Sequence, residues 1–158
     1  MRTCLVTVVL ALAPCIAAAA GPNWLPYVNP RFGVVVEYPA LFSRRDPPPE
    51  NGDGQVFRTV GGGATLRVFG SYNGDGQSAS QLMATYRTAG TTYSYRKATK
   101  TWFVLSGTKG STITYMRCDL GSSDVVGCFE LDYPASASGQ WSPVVDRMSR
   151  SLRVLPTN

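Results

Sequence analysis

Ser111-Thr112-Ile113-Thr114-Tyr115-Met116-Arg117-Cys118-Asp119-Leu120-Gly121-Ser122-Ser123-Asp124-Val125-Val126-Gly127-Cys128-Phe129-Glu130-Leu131-Asp132-Tyr133 consists of two strand-like runs around a Gly-Ser-Ser-Asp turn. Residues of this type on either side of such a turn predict a β-hairpin with strands Ser111 to Leu120 and Val125 to Tyr133. With Cys118 opposite Cys128, Arg117 faces Phe129, Tyr115 faces Leu131 and Ile113 faces Tyr133, so the apolar residues of both strands share one face. Both sulfurs then project from the other face, beside Met116 and Glu130, at a separation a disulfide bridges. Closing so short a loop contributes roughly 2 to 3 kcal/mol, less where the hairpin persists in the unfolded chain. A redox-active dithiol would call for a C-x-x-C spacing, which this pair lacks.

Outward from the hairpin, Arg31 to Tyr38 alternates with Phe32, Val34, Val36 and Tyr38 on one side and stops at Pro39, a half-buried first strand. Leu41 to Asn51 is expected to be a loop through Pro47-Pro48-Pro49, followed by the turn Asn51-Gly52-Asp53-Gly54. Gln55 to Thr59 and Ala64 to Ser71 read as a hairpin across Gly61-Gly62-Gly63, and Asn73-Gly74-Asp75-Gly76 breaks the chain again. Ser78-Ala79-Ser80-Gln81 fits a capping box, opening a helix with Leu82, Met83, Tyr86 and Ala89 inward and Gly90 at its end. Thr92 to Ala98 is a weaker strand. Trp102 to Leu105, apolar without alternation, predicts a central strand covered on both faces. A last helix is expected from Ser142-Pro143, with Val144, Val145, Met148 and Leu152 inward and Arg147, Arg150 and Arg153 outward. This order is α+β, an antiparallel sheet with helices packed on it.

With 158 residues the chain holds one domain, and 44% hydrophobic residues against 16% charged exclude a disordered tail or a charged coiled coil. Histidine is absent, which excludes Ser-His-Asp, Cys-His and HExxH chemistry. The N-terminus reads as an export signal: Arg2, an apolar run from Leu5 to Leu12, and small residues Ala17 to Ala20 before Gly21. The expected division is a cleaved leader over 1–20 and one domain over 21–158. Pro14 breaks the apolar stretch, which argues against a retained transmembrane helix, and a proline before Cys15 is wrong for a lipid-attachment site. Cleavage removes Cys4 and Cys15 and leaves an even pair in an oxidising compartment, periplasmic or extracellular. It also leaves 14 basic against 10 acidic residues, a net +4, scattered rather than clustered, which excludes a nucleic-acid surface.

Asn29-Pro30-Arg31-Phe32-Gly33-Val34-Val35-Val36-Glu37-Tyr38-Pro39 resembles the RFGFxxxYP opening strand of PsbP-like domains. Pro47 to Gly54, Trp102 to Gly107, Gly127 to Pro134, and Pro143 to Val145 before Ser149 to Arg153 are similar to a group of bacterial exported proteins with that opening. The resemblance covers essentially the whole exported chain. It implies the PsbP-like α/β/α sandwich, a central antiparallel sheet flanked by helices. It implies less about activity, because that fold serves photosystem accessory subunits, a Ran-binding import factor and envelope proteins, and no ion-binding or docking residue carries over.

Candidate sites are few, and no motif implies a cofactor. The repeated Asn-Gly-Asp-Gly-Gln at Asn51 to Gln55 and Asn73 to Gln77 offers one carboxylate per loop, which fits turn chemistry better than calcium, although Glu50, Asp53 and Asp75 could converge at one rim. Glu37, Glu130 and Asp132 are the strand carboxylates; Glu130 and Asp132 share a face and could serve glycoside hydrolysis, or pair with Arg117, Arg96 or Lys97. Ser71 and Ser106-Gly107 lack a G-x-S-x-G frame. Trp24, Tyr27 and Trp141 either fasten loops onto the sheet or form a binding surface. The expectation is a non-catalytic envelope protein binding a protein partner or an anionic envelope polymer, through Arg147, Arg150 and Arg153 or through Trp24 and Tyr27. The alternative is a small carboxylate-dependent envelope hydrolase. On the arginine face, the bland alternative to binding is a solvated surface with Asp146 paired to Arg150.

Overall fold

The computed structural model describes residues 23–122 and 124–157, so the expected leader lies outside the described residues. In the hairpin, β8 (Thr112–Leu120) and β9 (Val125–Pro134) pair with Cys118 opposite Cys128, Tyr115 opposite Leu131 and Ile113 opposite Tyr133, as the alternation dictates. The disulfide is formed, with Cα atoms 4.1 Å apart. Around this pair an antiparallel seven-stranded sheet is built in the order β3-β4-β5-β9-β8-β7-β6. Its other members are β3 (Arg44–Arg45), β4 (Gly54–Arg58), β5 (Thr65–Tyr72), β6 (Thr92–Ala98) and β7 (Trp102–Lys109). The short β3 falls within the expected Leu41 to Asn51 loop, where two arginines give no strand signal.

Phe32, Val34, Val36 and Tyr38 are buried on one side, as their alternation predicts. The strand they specify, β2 (Val34–Pro39), does not join the main sheet. It pairs instead with β1 (Trp24–Asn29) and β10 (Arg153–Val154) in a separate three-stranded sheet. This small sheet and α2 (Ser138–Ser151) cover one face of the large sheet, while α1 (Ala79–Thr85) covers part of the other. The first core lies between the two sheets and α2; the second lies beneath α1 and contains both disulfide cysteines. Two glycines opposite each other in the large sheet, Gly70 and Gly127, let the small sheet approach. A Cβ on Gly127 would stand 2.6 Å from Val154 Cγ2 and 2.8 Å from Val34 Cγ2, and one on Gly70 would run into the Phe32 ring.

Three expectations need correction. Trp102 to Leu105 begin β7, one strand in from the edge rather than central, because an apolar run reports coverage on both faces and not position in a sheet. Phe103 and Leu105 enter the second core, whereas Val104, also buried, belongs to neither core and lies in register between Lys97 and Arg117. The first helix has the expected capping box but stops at Thr85, with Ala89 exposed. Tyr86 anchors that end, packing against Phe69 and Phe103 with its hydroxyl 3.1 Å from Ser71 Oγ, and Gly90 serves the turn into β6 at φ +79°. The last helix begins at Ser138, so Pro143 falls inside it. Trp141, stacked on Tyr133 at 5.6 Å and against Phe42 at 5.7 Å, draws the preceding turn into the helix.

Among the described residues no helix is long and apolar enough to cross a membrane.

Candidate functional site

The helical period that buries Val144, Val145 and Met148 turns Arg147 and Arg150 outward. Arg153 follows the helix in β10, where its Nη1 donates to the carbonyls of Arg150 and Leu152, both at 2.6 Å, satisfying helix-end acceptors. Arg147 reaches across to the small sheet, with Nε and Nη2 each 3.0 Å from Glu37 Oε2 and the guanidinium 4.3 Å from the centre of the Trp24 ring. Asp146 and Arg150 form no ion pair among the described residues, so the pairing expected of a bland solvated face is replaced by this cross-layer contact.

Two open hollows meet along this face. One, of about 570 Å³, is lined by Pro26, Val35, Glu37, Arg147, Arg150 and Arg153. The other, of about 520 Å³, is lined by Trp24, Leu41, Pro143, Val144, Arg147 and Arg150. The fold thus gathers Trp24 with the three arginines. Tyr27 is not among them: it packs edge-on against Phe57 at 5.5 Å, and burial raises its hydroxyl pKa, opposed by the nearby Asn29 side chain and the Arg45 charge. Trp141 fastens the helix to the core.

Two of the strand carboxylates, Glu130 and Asp132, form a second cluster on the α1 side of the large sheet. Arg67 on β5 lies between Asp132, at 2.7 Å, and Glu130, at 3.4 Å, and Thr114 donates to Asp132 at 2.7 Å. The partner is therefore Arg67 rather than Arg117, Arg96 or Lys97; Arg117 pairs with Asp119 and lies over Trp102. Burial pushes the Glu130 carboxyl above its ordinary range, Arg67 pulls it back, and the nearby Asp132 adds to the rise. Asp132 lines a hollow of about 400 Å³ beside Thr65 and Thr112, but Glu130 does not. The two acids share an arginine, not a ligand-sized cavity.

The two Asn-Gly-Asp-Gly loops lie at the same end of the β4–β5 hairpin, as the pairing of Gly54 with Phe69 requires. Their polar groups serve the turns. Asn51 Nδ2 donates to Asp53 at 2.8 Å, and Asn73 accepts from Gln77 N at 2.9 Å. The first loop is also clasped by Asn29, whose Nδ2 donates to Gly52 O at 3.0 Å while its Oδ1 accepts from Arg31 N and Phe32 N. Among the described residues no three Asp, Glu or Cys side chains gather to hold a metal ion.

No family model matches the sequence, and no curated protein matches it. Solved structures do. The solution structure of cyanobacterial PsbP (CyanoP) from Synechocystis sp. PCC 6803 superimposes with a TM-score of 0.65 at 15% identity, covering 91% of this chain and 99% of that one. The crystal structure of the Ran-binding protein Mog1p from Saccharomyces cerevisiae gives 0.58 at 11% identity, covering 85% and 96%. The chain therefore has a PsbP-like fold.

Proposed function

We propose that the protein is an exported, non-catalytic accessory module that binds an anionic partner, a protein or an envelope polymer, through the face formed by α2, β1 and β10. The observation that carries this reading is the convergence of Arg147, Arg150 and Arg153 on two adjoining hollows lined by a single carboxylate, Glu37. Arg147 and Arg153 are held by their own neighbours and Arg150 has no carboxylate partner among the described residues, so together they form an electropositive surface that steers and retains an anion. Export is supported by the N-terminal leader pattern and by a disulfide of the kind that persists in oxidising compartments. The layers, α1, the seven-stranded sheet, and then the small sheet with α2, fit the α/β/α sandwich of the PsbP-like fold. One neighbour is named for binding Ran, a precedent for docking on this scaffold.

The test is co-purification from an envelope extract with wild type and with Arg147→Gln/Arg150→Gln/Arg153→Gln. The wild type should retain a partner at about 0.1 M salt and lose it by about 0.5 M, as screening shortens the reach of the charges. The triple variant, folded as judged by its thermal midpoint, should recover none. Equal recovery by both proteins would move the binding surface elsewhere.

A further inference from the structure

We infer that the ligand of the arginine face is an extended acidic peptide segment carrying one apolar side chain, its carboxylates on Arg150 and Arg153 and the apolar group in the hollow between Trp24 and α2. This rests on the proposed anion-binding role and narrows it to one class of partner. Charge, an adjoining hollow and the setting of Trp24 carry it.

Arg147 is already held by Glu37, while Arg150 has no carboxylate partner among the described residues. Asp146, whose charge is felt at Tyr115 on another flank of α2, lines neither hollow. A planar guanidinium without a partner is matched best by a carboxylate, which accepts two parallel hydrogen bonds.

The neighbouring hollow calls for an apolar group. Leu41, Pro143 and Val144 give it an apolar lining beside Trp24, and its volume of about 520 Å³ falls within the range of sites that enclose a compact group, roughly 300 to 1,000 Å³. An anion alone leaves this lining wet; a Phe or Leu side chain removes it from water.

The setting of Trp24 separates peptide from polysaccharide. Sugar rings are gripped by stacking on an open aromatic face. Trp24 is poorly placed for this, because Arg147 already lies over its ring and the half-buried side chain packs against the first core. The half-buried ring shares a mostly apolar hollow with Arg147 and Arg150, which suits an apolar side chain flanked by acidic ones.

The experiment uses the exported protein and fluorescein-labelled peptides of sequence Glu-Glu-Asp-Phe-Asp-Glu-Glu, or the same with Ala for Phe, read by anisotropy with polygalacturonate as competitor. The Phe peptide should bind about tenfold more tightly than the Ala peptide. Arg150→Gln should weaken both about tenfold, and Glu37→Gln, which removes the competing carboxylate, should strengthen both a few-fold. Leu41→Asn, at an exposed position on the hollow's rim, should bring the Phe peptide down to the affinity of the Ala peptide and so erase the preference for Phe. Arg150-dependent binding that ignores the Phe, a Phe preference that survives Leu41→Asn, or tighter binding of polygalacturonate than of the Phe peptide would overturn the peptide assignment while leaving the anion-binding role standing. Loss of all Arg150-dependent binding to peptide and polymer alike would overturn both.

Discussion

On one face of the seven-stranded sheet, the contacts come from far along the chain and are rich in aromatic rings; on the other, they come from a seven-residue helix and one disulfide. The first core joins Phe32, Tyr38, Phe42, Phe57, Phe129 and Trp141 across two sheets and α2, so it is held by burial and without a covalent link. The second has Leu82 and Ala79 from α1 over Phe103, Leu105 and the two cysteines, with a covalent link inside it. A helix of two turns is too short to be stable by itself, and the staple beneath it fixes the hairpin on which it rests. The exposed arginines belong to the side with the larger core, where Glu37 and Trp24 hold Arg147 and leave the guanidinium of Arg150 unused.

The largest expected effects compare two adjacent residues on β7. Leu105→Asp places an unpaired carboxylate in the second core and should abolish folding. Val104→Asp, equally buried but lying in register between Lys97 and Arg117, has cations at hand and should leave a folded, weakened protein. Near-ultraviolet circular dichroism separates the outcomes. Equal loss of signal would show that the Lys97 and Arg117 side chains do not cover Val104.

Next in size, Phe129→Ala in the first core should cost about 3 to 5 kcal/mol, and Cys118→Ala/Cys128→Ala in the second roughly 2 to 3 kcal/mol, both read from urea midpoints. The reductant response sharpens the contrast. Dithiothreitol should lower the midpoint of Phe129→Ala further and leave the double cysteine variant unmoved. A cysteine loss as costly as the phenylalanine loss would mean that the smaller core sustains the fold. Smaller again, Ser78→Ala removes the hydroxyl of the capping box, with Gln81 N 3.4 Å from it, and should cost about 1 kcal/mol. Hydrogen exchange should quicken in α1 and not in α2.

How much of this was legible in sequence depended on whether the deciding contact was local. The β8–β9 register was legible because period-two alternation and the cysteine pair select the same alignment. The α1 start was legible because a capping box is contained in four residues. The strand β1 was not, since Trp24-Leu25-Pro26 has no alternation and becomes a strand only by pairing with β2. Nor were Gly70 and Gly127, whose lack of side chains matters only once Phe32, Val34 and Val154 are laid over them. The site divides in the same way. Helical spacing pointed to Arg147 and Arg150 and put Arg153 in line with them, but the meeting of Arg147 with Glu37 and Trp24 needs three separate segments in one layer. The same holds for Arg67, which reaches Glu130 and Asp132 through the long-range pairing of β5 with β9.

The smallest expected effect falls on the polar end of the disulfide-bearing face, at Glu130. Burial is the strongest influence on this carboxyl and raises its pKa above 4.5; Arg67 opposes the rise and Asp132 adds to it. The folded protein therefore holds the Glu130 proton more tightly than the unfolded chain does. Its contribution to stability is fully present below about pH 4.5 and is lost as pH rises through the folded-state value. Glu130→Gln cannot ionise, so near neutral pH it should be as stable as wild type or more so, by no more than about 1 kcal/mol. That difference should close on acidification below pH 4.5, while a residual slope persists in the variant from Asp119, another carboxyl that burial pushes upward. Urea midpoints at neutral pH and on both sides of pH 4.5 measure it. A variant weaker than wild type at neutral pH would show that the ion pair with Arg67 outweighs the cost of burying the charge, making this end of the face a second staple rather than a tolerated load.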